Sequence, residues 1–203
     1  MRLRTRIFVD FWNYQLNWNE RTNRAPCDWK ALPNVLMVES KRLLATAAGT
    51  TRLFSTRPSS TPASSPATLT RNLKTWLTTF IDRQPSFRVK IRDRRVRSGG
   101  VWCNSCRTQI AECPHCRAAF ERSPEKGIDA AIATDLLSLA WEGVLDMAVL
   151  VSGDSDFVPA VERIQEKGLK VMNATWRNHG HELDHVCWAS FDLDSVVGSL
   201  LRE

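Results

Sequence analysis

Met147-Ala148-Val149-Leu150-Val151-Ser152-Gly153-Asp154-Ser155-Asp156-Phe157 is the stretch on which the fold turns. Five consecutive apolar residues are too few for a helix and leave no polar face, so they read as a strand buried on both sides. Strands of that kind belong to parallel sheets covered by helices, and in open parallel sheets ligand sites lie at the carboxyl ends of the strands. This strand ends in Ser-Gly and two acids. Downstream, residues 156–167 read as a helix that stops at Gly168, and Leu169 to Ala174 as the next strand. The tail from about residue 179 reads as a helix and a short terminal element. Upstream, Ile128, Ile132, Asp135 and Leu139 mark a helix over 127–142.

The N-terminal half repeats the theme. Arg6 to Asp10 is a short apolar run closed by an acid, again a buried strand. Residues 11–28 show no clear period and read as a loop or short helical turn. A helix is expected over 29–47, with Leu32, Val35, Leu36, Leu43 and Leu44 on one side and Gly49 as its stop. Thr50 to Ser55 reads as a strand, and residues 55–70, with twelve Ser, Thr or Pro in sixteen, as a loop. Leu69, Leu73, Trp76, Leu77 and Phe80 recur at helical spacing up to Pro85. From Phe87 to Val96 a strand is expected, with Phe87, Val89 and Ile91 on its apolar face and Arg88, Lys90 and Arg92 on a basic one. Strands alternating with helices imply an α/β fold with a mostly parallel central sheet flanked by helices.

Composition sets the bounds. The 203 residues fit one domain carrying a small insert, and 43% hydrophobic with 25% charged residues excludes disordered and fibrous classes. No apolar run approaches the roughly 20 residues of a membrane helix. The arginines near the start are followed only by Ile7, Phe8 and Val9 before Asp10, too short for a signal peptide, so a cytoplasmic location is expected. Residues 88–122 hold nine Arg or Lys against three Asp or Glu, which accounts for the whole net charge of +6. A localised basic patch points to a polyanionic partner, nucleic acid first.

Cys103, Cys106, Cys113 and Cys116 form two CxxC pairs with six residues between them. Two such turns complete a tetrahedral four-thiolate site, which suits structural Zn²⁺. The insert, residues 98–122, is too short for a core of its own and is expected to rely on that metal. Trp102 is expected to pack against the metal core, and the module with Arg107, Arg117 and Arg122 to grip nucleic acid. Cys27 and Cys187 read as plain thiols.

If the two acid-tipped strands run parallel, Asp10, Asp154 and Asp156 gather at one edge, joined by Asp129 in the first turn of its helix. Asp135 falls on an apolar stripe, where a carboxylate is costly unless paired, hydrogen-bonded or metal-bound. Clustered carboxylates need a cation, and hard oxygen ligands suit Mg²⁺ or Mn²⁺. The alternative splits the cluster, with Asp154 or Ser155 capping a helix and Asp129 complementing a helix dipole. His181 and His185, one helical turn apart, read as a solvated helix face beside His179. Most of the eight tryptophans read as packing, with Trp12 and Trp18 near enough to the acids to stack on bases.

Asp10-Phe11-Trp12-Asn13, Lys126-Gly127-Ile128-Asp129 with Asp135 six residues on, and Ser152-Gly153-Asp154-Ser155-Asp156-Phe157 together resemble the NYN-domain family in its LabA-like branch, relatives of the PIN nucleases. The resemblance runs from near the N-terminus to about residue 176. It implies a Rossmann-like PIN fold over residues 1–203, carrying the cysteine insert that some members have. It also implies a metal-dependent endonuclease, with RNA ahead of DNA as its substrate, or alternatively a non-catalytic RNA-binding regulatory adaptor. By that resemblance Asp10, Asp129, Asp154 and Asp156 form the Mg²⁺ or Mn²⁺ centre. Asn13 orients a water or phosphate, and Asp135 holds a second metal or supports the first ligands. Ser152 offers its hydroxyl, and Lys126 contacts a phosphate, with Arg88, Lys90 and Arg92 as further substrate contacts.

Overall fold

The computed structural model of the chain describes residues 3–48, 61–63, 71–91, 97–98, 100–122 and 127–202. The strand expected over Thr50–Ser55 lies outside the described residues, as do Arg92 and Lys126.

The strands are β1 (Thr5–Val9), β2 (Thr61–Ala63), β3 (Val89–Ile91), β4 (Arg97–Ser98), β5 (Val101–Trp102), β6 (Gln109–Ile110), β7 (Glu121–Arg122), β8 (Met147–Val151), β9 (Lys170–Thr175) and β10 (Ala189–Asp192). The helices are α1 (Phe11–Arg21), α2 (Leu32–Ala48), α3 (Arg71–Trp76), which runs on as a π-turn over Leu77–Ile81, α4 (Ile128–Trp141), α5 (Val158–Glu166) and α6 (His181–Val186). Strands β1, β8, β9 and β10 lie side by side in that order, all parallel, with Val9 opposite Val151 and Val151 opposite Ala174.

Alternation along each strand feeds two cores, one on each face of the sheet. Ile7, Val9, Met147, Val149, Val151, Met172 and Ala174 face the side built from α1, α2 and the π-turn. Phe8, Ala148, Leu150 and Val171 face α4, α5 and α6. Burial on both faces explains the unbroken apolar run of β8, all five of whose residues are buried.

Two segments differ from expectation. Residues 11–21 are a helix of three turns, not a loop: Asp10 caps it, and Phe11, Tyr14 and Trp18 form a buried stripe at helical spacing. The stripe is aromatic, and it closes on Trp29 and Trp176 through rings 5.1–6.5 Å apart. Trp18 is therefore core, not a base-stacking residue. Within the stretch expected to be loop, β2 pairs in parallel with β3 and lies against β1.

The insert folds as two small antiparallel ladders, β4 with β7 and β5 with β6. None of its described residues joins either core. Trp102 stands 52% exposed. Gly100 is required by crowding, since a Cβ there would collide with the Ile110 carbonyl oxygen.

Candidate active site

Register places the site. Because β1 and β8 are adjacent and parallel, the residues that follow Val9 and Val151 emerge at the same carboxyl edge. Asp10 donates its backbone N–H to the Val151 carbonyl, 3.0 Å away, as the last rung of that ladder. Its carboxylate caps α1, one oxygen accepting from the Asn13 amide at 3.3 Å and the other from the Ser152 hydroxyl at 3.4 Å. Asn13 Oδ1 accepts from the Gly153 amide at 3.1 Å, and Ser152 Oγ accepts from the Asp154 amide at 3.1 Å. The Asp154 carboxylate accepts from the Asp156 amide at 2.9 Å, capping the 3-10 turn that enters α5. Short side chains thus lace the ends of β1 and β8 into one rigid turn.

Asp129, Asp154 and Asp156 converge on it. Among the described residues, these three form a group of metal-competent side chains whose ligand oxygens all lie within 4.8 Å of one another. Asp129 gets there from the first turn of α4, a helix entered through the left-handed Gly127. The capping and clustering roles thus coexist, since each carboxylate has two oxygens. Asp10 lies behind the group, 6% exposed. Burial, with added repulsion from Asp129 and Asp154, pushes its carboxyl up to about 6 despite the Asn13 and Ser152 hydrogen bonds. Asp129 is raised too, by burial and then by Asp154 and Asp156. Carboxyls driven upward by burial and then by one another mark a place where a cation would be bound favourably.

The other expected residues are placed as follows. Asn13 and Ser152 spend their oxygens inside the turn, and Ser152 is 1% exposed. Asp135 sits apart from the three-acid group and is held by Lys90 Nζ at 2.7 Å, the pairing that its apolar stripe demands. Lys90 is correspondingly engaged, whereas Arg88 is exposed. Trp12 packs edge-on against Phe11. His181 and His185 are exposed on α6.

In the insert none of the four cysteines is in a disulfide. The Cys106 amide, the Cys106 thiol and the Ser105 amide hold the Cys103 thiol below its ordinary range. The Cys116 and His115 amides and the Cys116 thiol do the same for Cys113. Each pair is followed by an arginine in the left-handed region, Arg107 at φ 52° and Arg117 at φ 57°. The two turns are therefore near-copies, each aiming amides at its first sulfur as a thiolate-binding knuckle does. Among the described residues the four sulfurs are not drawn within 4.8 Å of one another as a group. Cys27 and Cys187 are conventional thiols, pushed up to about 11 and about 12 by burial.

One part of the rim was not visible in sequence. The turn after β9, residues 176–180, docks on the Ser152–Asp154 turn. A Cβ on Gly180 would lie 2.8 Å from Thr175 Oγ1 and 3.0 Å from the Gly153 Cα, and its φ is +71°. The signal was a glycine in the turn that joins a strand to the next helix, where a left-handed backbone and close approach are common. Gly180→Ala is expected to cost about 2 kcal/mol, from left-handed strain plus the displaced contact. Urea unfolding measures it; an unchanged midpoint would contradict the packing described.

A parallel sheet covered on both faces, with carboxylates gathered at the ends of adjacent strands, is the arrangement of a PIN-like fold. The NYN-domain family model matches residues 89–194, just over half of the chain, and the protein belongs to that family. The matched span carries Asp129, Asp154 and Asp156 and begins after β1, so Asp10 joins the site through the pairing of β1 with β8. A crystal structure of a protein of unknown function from Vibrio parahaemolyticus is similar, with TM-score 0.58 and 19% identity over 95% of this chain and 94% of that one. That likeness concerns the fold. No curated protein matches the chain.

Proposed function

We propose that the protein is a divalent-metal-dependent endonuclease of the LabA-like branch, cutting RNA in preference to DNA in the cytoplasm. The observation that carries this reading is the convergence of Asp129, Asp154 and Asp156 within 4.8 Å beside the buried Asp10. Oxygen-only ligands in that number suit Mg²⁺ or Mn²⁺. A bound ion supplies Lewis-acid activation of a phosphodiester and of water. The chain's own work is to hold the acids together. Asn13 and Ser152 lock the turn, α4 delivers Asp129, and Arg88 with the basic stretch before the insert attracts the phosphate backbone. No helix among the described residues is long and apolar enough to cross a membrane.

The test of substrate class uses labelled RNA and DNA strands of the same sequence with Mn²⁺. Faster cutting of RNA supports the proposal. Equal or faster cutting of DNA overturns the RNA preference, and binding without cutting under every metal condition favours the adaptor.

The two cysteine turns fit a structural Zn²⁺, each already presenting amides to a low-lying thiol. Closing the site requires the turns to move together. Because the insert contributes to neither core, stripping zinc is expected to leave the melting temperature of the main domain within about 2 °C while exposing the insert to trypsin at Arg107 and Arg117. Equal proteolysis with and without chelator would contradict a zinc-held module.

A further inference from the structure

A cavity of about 220 Å³ opens beside the start of α2, outside the three-acid group. Its walls are aromatic. Trp76 and Phe80 lie nearly parallel, 22° apart with ring centroids at 6.2 Å, and Trp29 meets Trp76 edge-on at 6.2 Å. The π-turn sets this geometry. Leu77 and Ile81 anchor it in the core, which leaves Phe80 37% exposed in the same turn and Trp76 half-buried at its entry. Single π-turns inside helices are frequent at functional sites. Two cations line the cavity, Lys30 and Arg202, both exposed and neither in an ion pair among the described residues. Lys30 Nζ rests 5.0 Å from the centre of the Phe80 ring. The acid that lines the cavity, Asp28, spends one oxygen on the Lys30 and Ala31 amides, at 3.0 and 3.2 Å. The cavity also communicates with the acidic rim: Trp29 stacks on Phe11 at 5.2 Å, and Phe11 follows Asp10.

Flat aromatic walls with cations beside them complement a nucleobase and the phosphates on either side of it. The base stacks on the rings, and the phosphates meet the ammonium and the guanidinium. A purely apolar ligand would use the rings and leave both cations without a counter-charge. Size narrows the choice further. The volume is below the roughly 300–1,000 Å³ of pockets that enclose a drug-sized ligand, so one ring system fits and its sugar and phosphates stay outside, as they do in a strand. We propose that this cavity holds one unpaired base of a single-stranded nucleic acid, stacked against Phe80 and Trp76, with Lys30 and Arg202 on the flanking phosphates. That the strand is the RNA cut at the acids rests on the nuclease reading above. The contact of Lys30 with Phe80 is an exposed cation–π contact, which is weak, so Lys30 yields the ring to a base and keeps its charge for the phosphate. Every base has a π-face, so the site tolerates any sequence. With only the Trp29 and Phe11 rings between it and Asp10, it anchors the strand a short way from the bond to be cut.

The experiment measures binding by fluorescence anisotropy in EDTA, so that nothing is cut. The full-length protein is compared with Phe80→Ala, Phe80→Trp, Lys30→Gln and Arg202→Gln on labelled oligouridylate and on a strand of the same length whose residues are abasic. Phe80→Ala is expected to weaken binding of oligouridylate about tenfold, the scale of one lost base stack, and to leave the abasic strand within about twofold. Phe80→Trp, which keeps a ring, should bind oligouridylate within about threefold of wild type or more tightly. Lys30→Gln and Arg202→Gln, which leave the aromatic walls intact, should each lower the slope of log affinity against log salt by about 0.7, one phosphate contact to a single strand. Binding of oligouridylate by Phe80→Ala within about twofold of wild type overturns the assignment, as does a wild-type protein that binds neither strand. Equal loss on both strands overturns it by showing a structural role. Free uridine monophosphate displacing the strand at a concentration equal to the strand's own Kd overturns it in favour of a free nucleotide. Cleavage with Mn²⁺ is scored separately. Base binding that depends on Phe80, by a protein that cuts nothing, fails the nuclease reading and keeps the pocket, whereas cleavage with Phe80→Ala binding unchanged fails the pocket alone.

Discussion

Asp10→Asn is expected to stabilise the metal-free protein by about 3 kcal/mol at pH 8 while removing most of its nuclease activity. Burial pushes the folded Asp10 carboxyl up to about 6 from its ordinary 3.8. Between those values the folded chain binds more protons than the unfolded one, so stability falls as pH rises through the window, and above it the full cost remains. Each pH unit of difference corresponds to about 1.4 kcal/mol. Asparagine keeps the shape, still caps α1 through the Asn13 amide, and can donate to Ser152 Oγ, so the capping contribution survives. The gain should therefore shrink to about 1 kcal/mol at pH 4.5, where the folded wild-type carboxyl is already neutral. Urea unfolding in EDTA at the two pH values reads this directly. A variant no more stable than wild type at pH 8 would show that burial does not strain Asp10. Such a gain coupled to lost activity is what a site that buries a carboxylate beside other acids should show.

Asp154→Asn is expected to have the larger effect on function. Asp154 belongs to the three-acid group, repels Asp10 and Asp129, and caps the turn into α5. Asparagine can cap as well, so the fold should persist with an unchanged unfolding midpoint to within about 1 kcal/mol. Removing one charge from the group should weaken Mn²⁺ binding by tenfold or more, an order-of-magnitude expectation for a lost charged ligand. The stabilisation that saturating metal gives the folded state should fall accordingly. Cleavage should drop by about 10³-fold, the scale of losing a main electrostatic contributor to the transition state. Thermal melts with and without Mn²⁺ separate the two effects. An undiminished metal-induced shift in a folded Asp154→Asn protein would remove Asp154 from the centre.

The sheet and the acids were legible in sequence for the same reason. A strand buried on both faces must be continuously apolar, and β8 is, so its end and the acids after it stand out. Asp129 was legible because α4 has a regular stripe. What escaped was carried by aromatic residues and glycines. The stripe of α1 is Phe11, Tyr14 and Trp18 interrupted by asparagines, which reads as composition without period until Trp176, far away in sequence, supplies the surface it packs on. The docking of Gly180 on Gly153 is a contact between two backbones and leaves only a glycine as trace. Asp135 was legible as an anomaly on an apolar face, but its partner Lys90, 45 residues earlier, became visible only with the fold.

The most direct measurement is the cleavage of labelled single-stranded RNA by the purified wild-type protein with Mn²⁺ and with EDTA. The arrangement of Asp129, Asp154 and Asp156 predicts internal cuts that need the added ion and stop when it is chelated. RNA left intact with Mn²⁺ and Mg²⁺ alike, by protein that is folded and binds it, would contradict the nuclease and leave the acids without the role assigned to them.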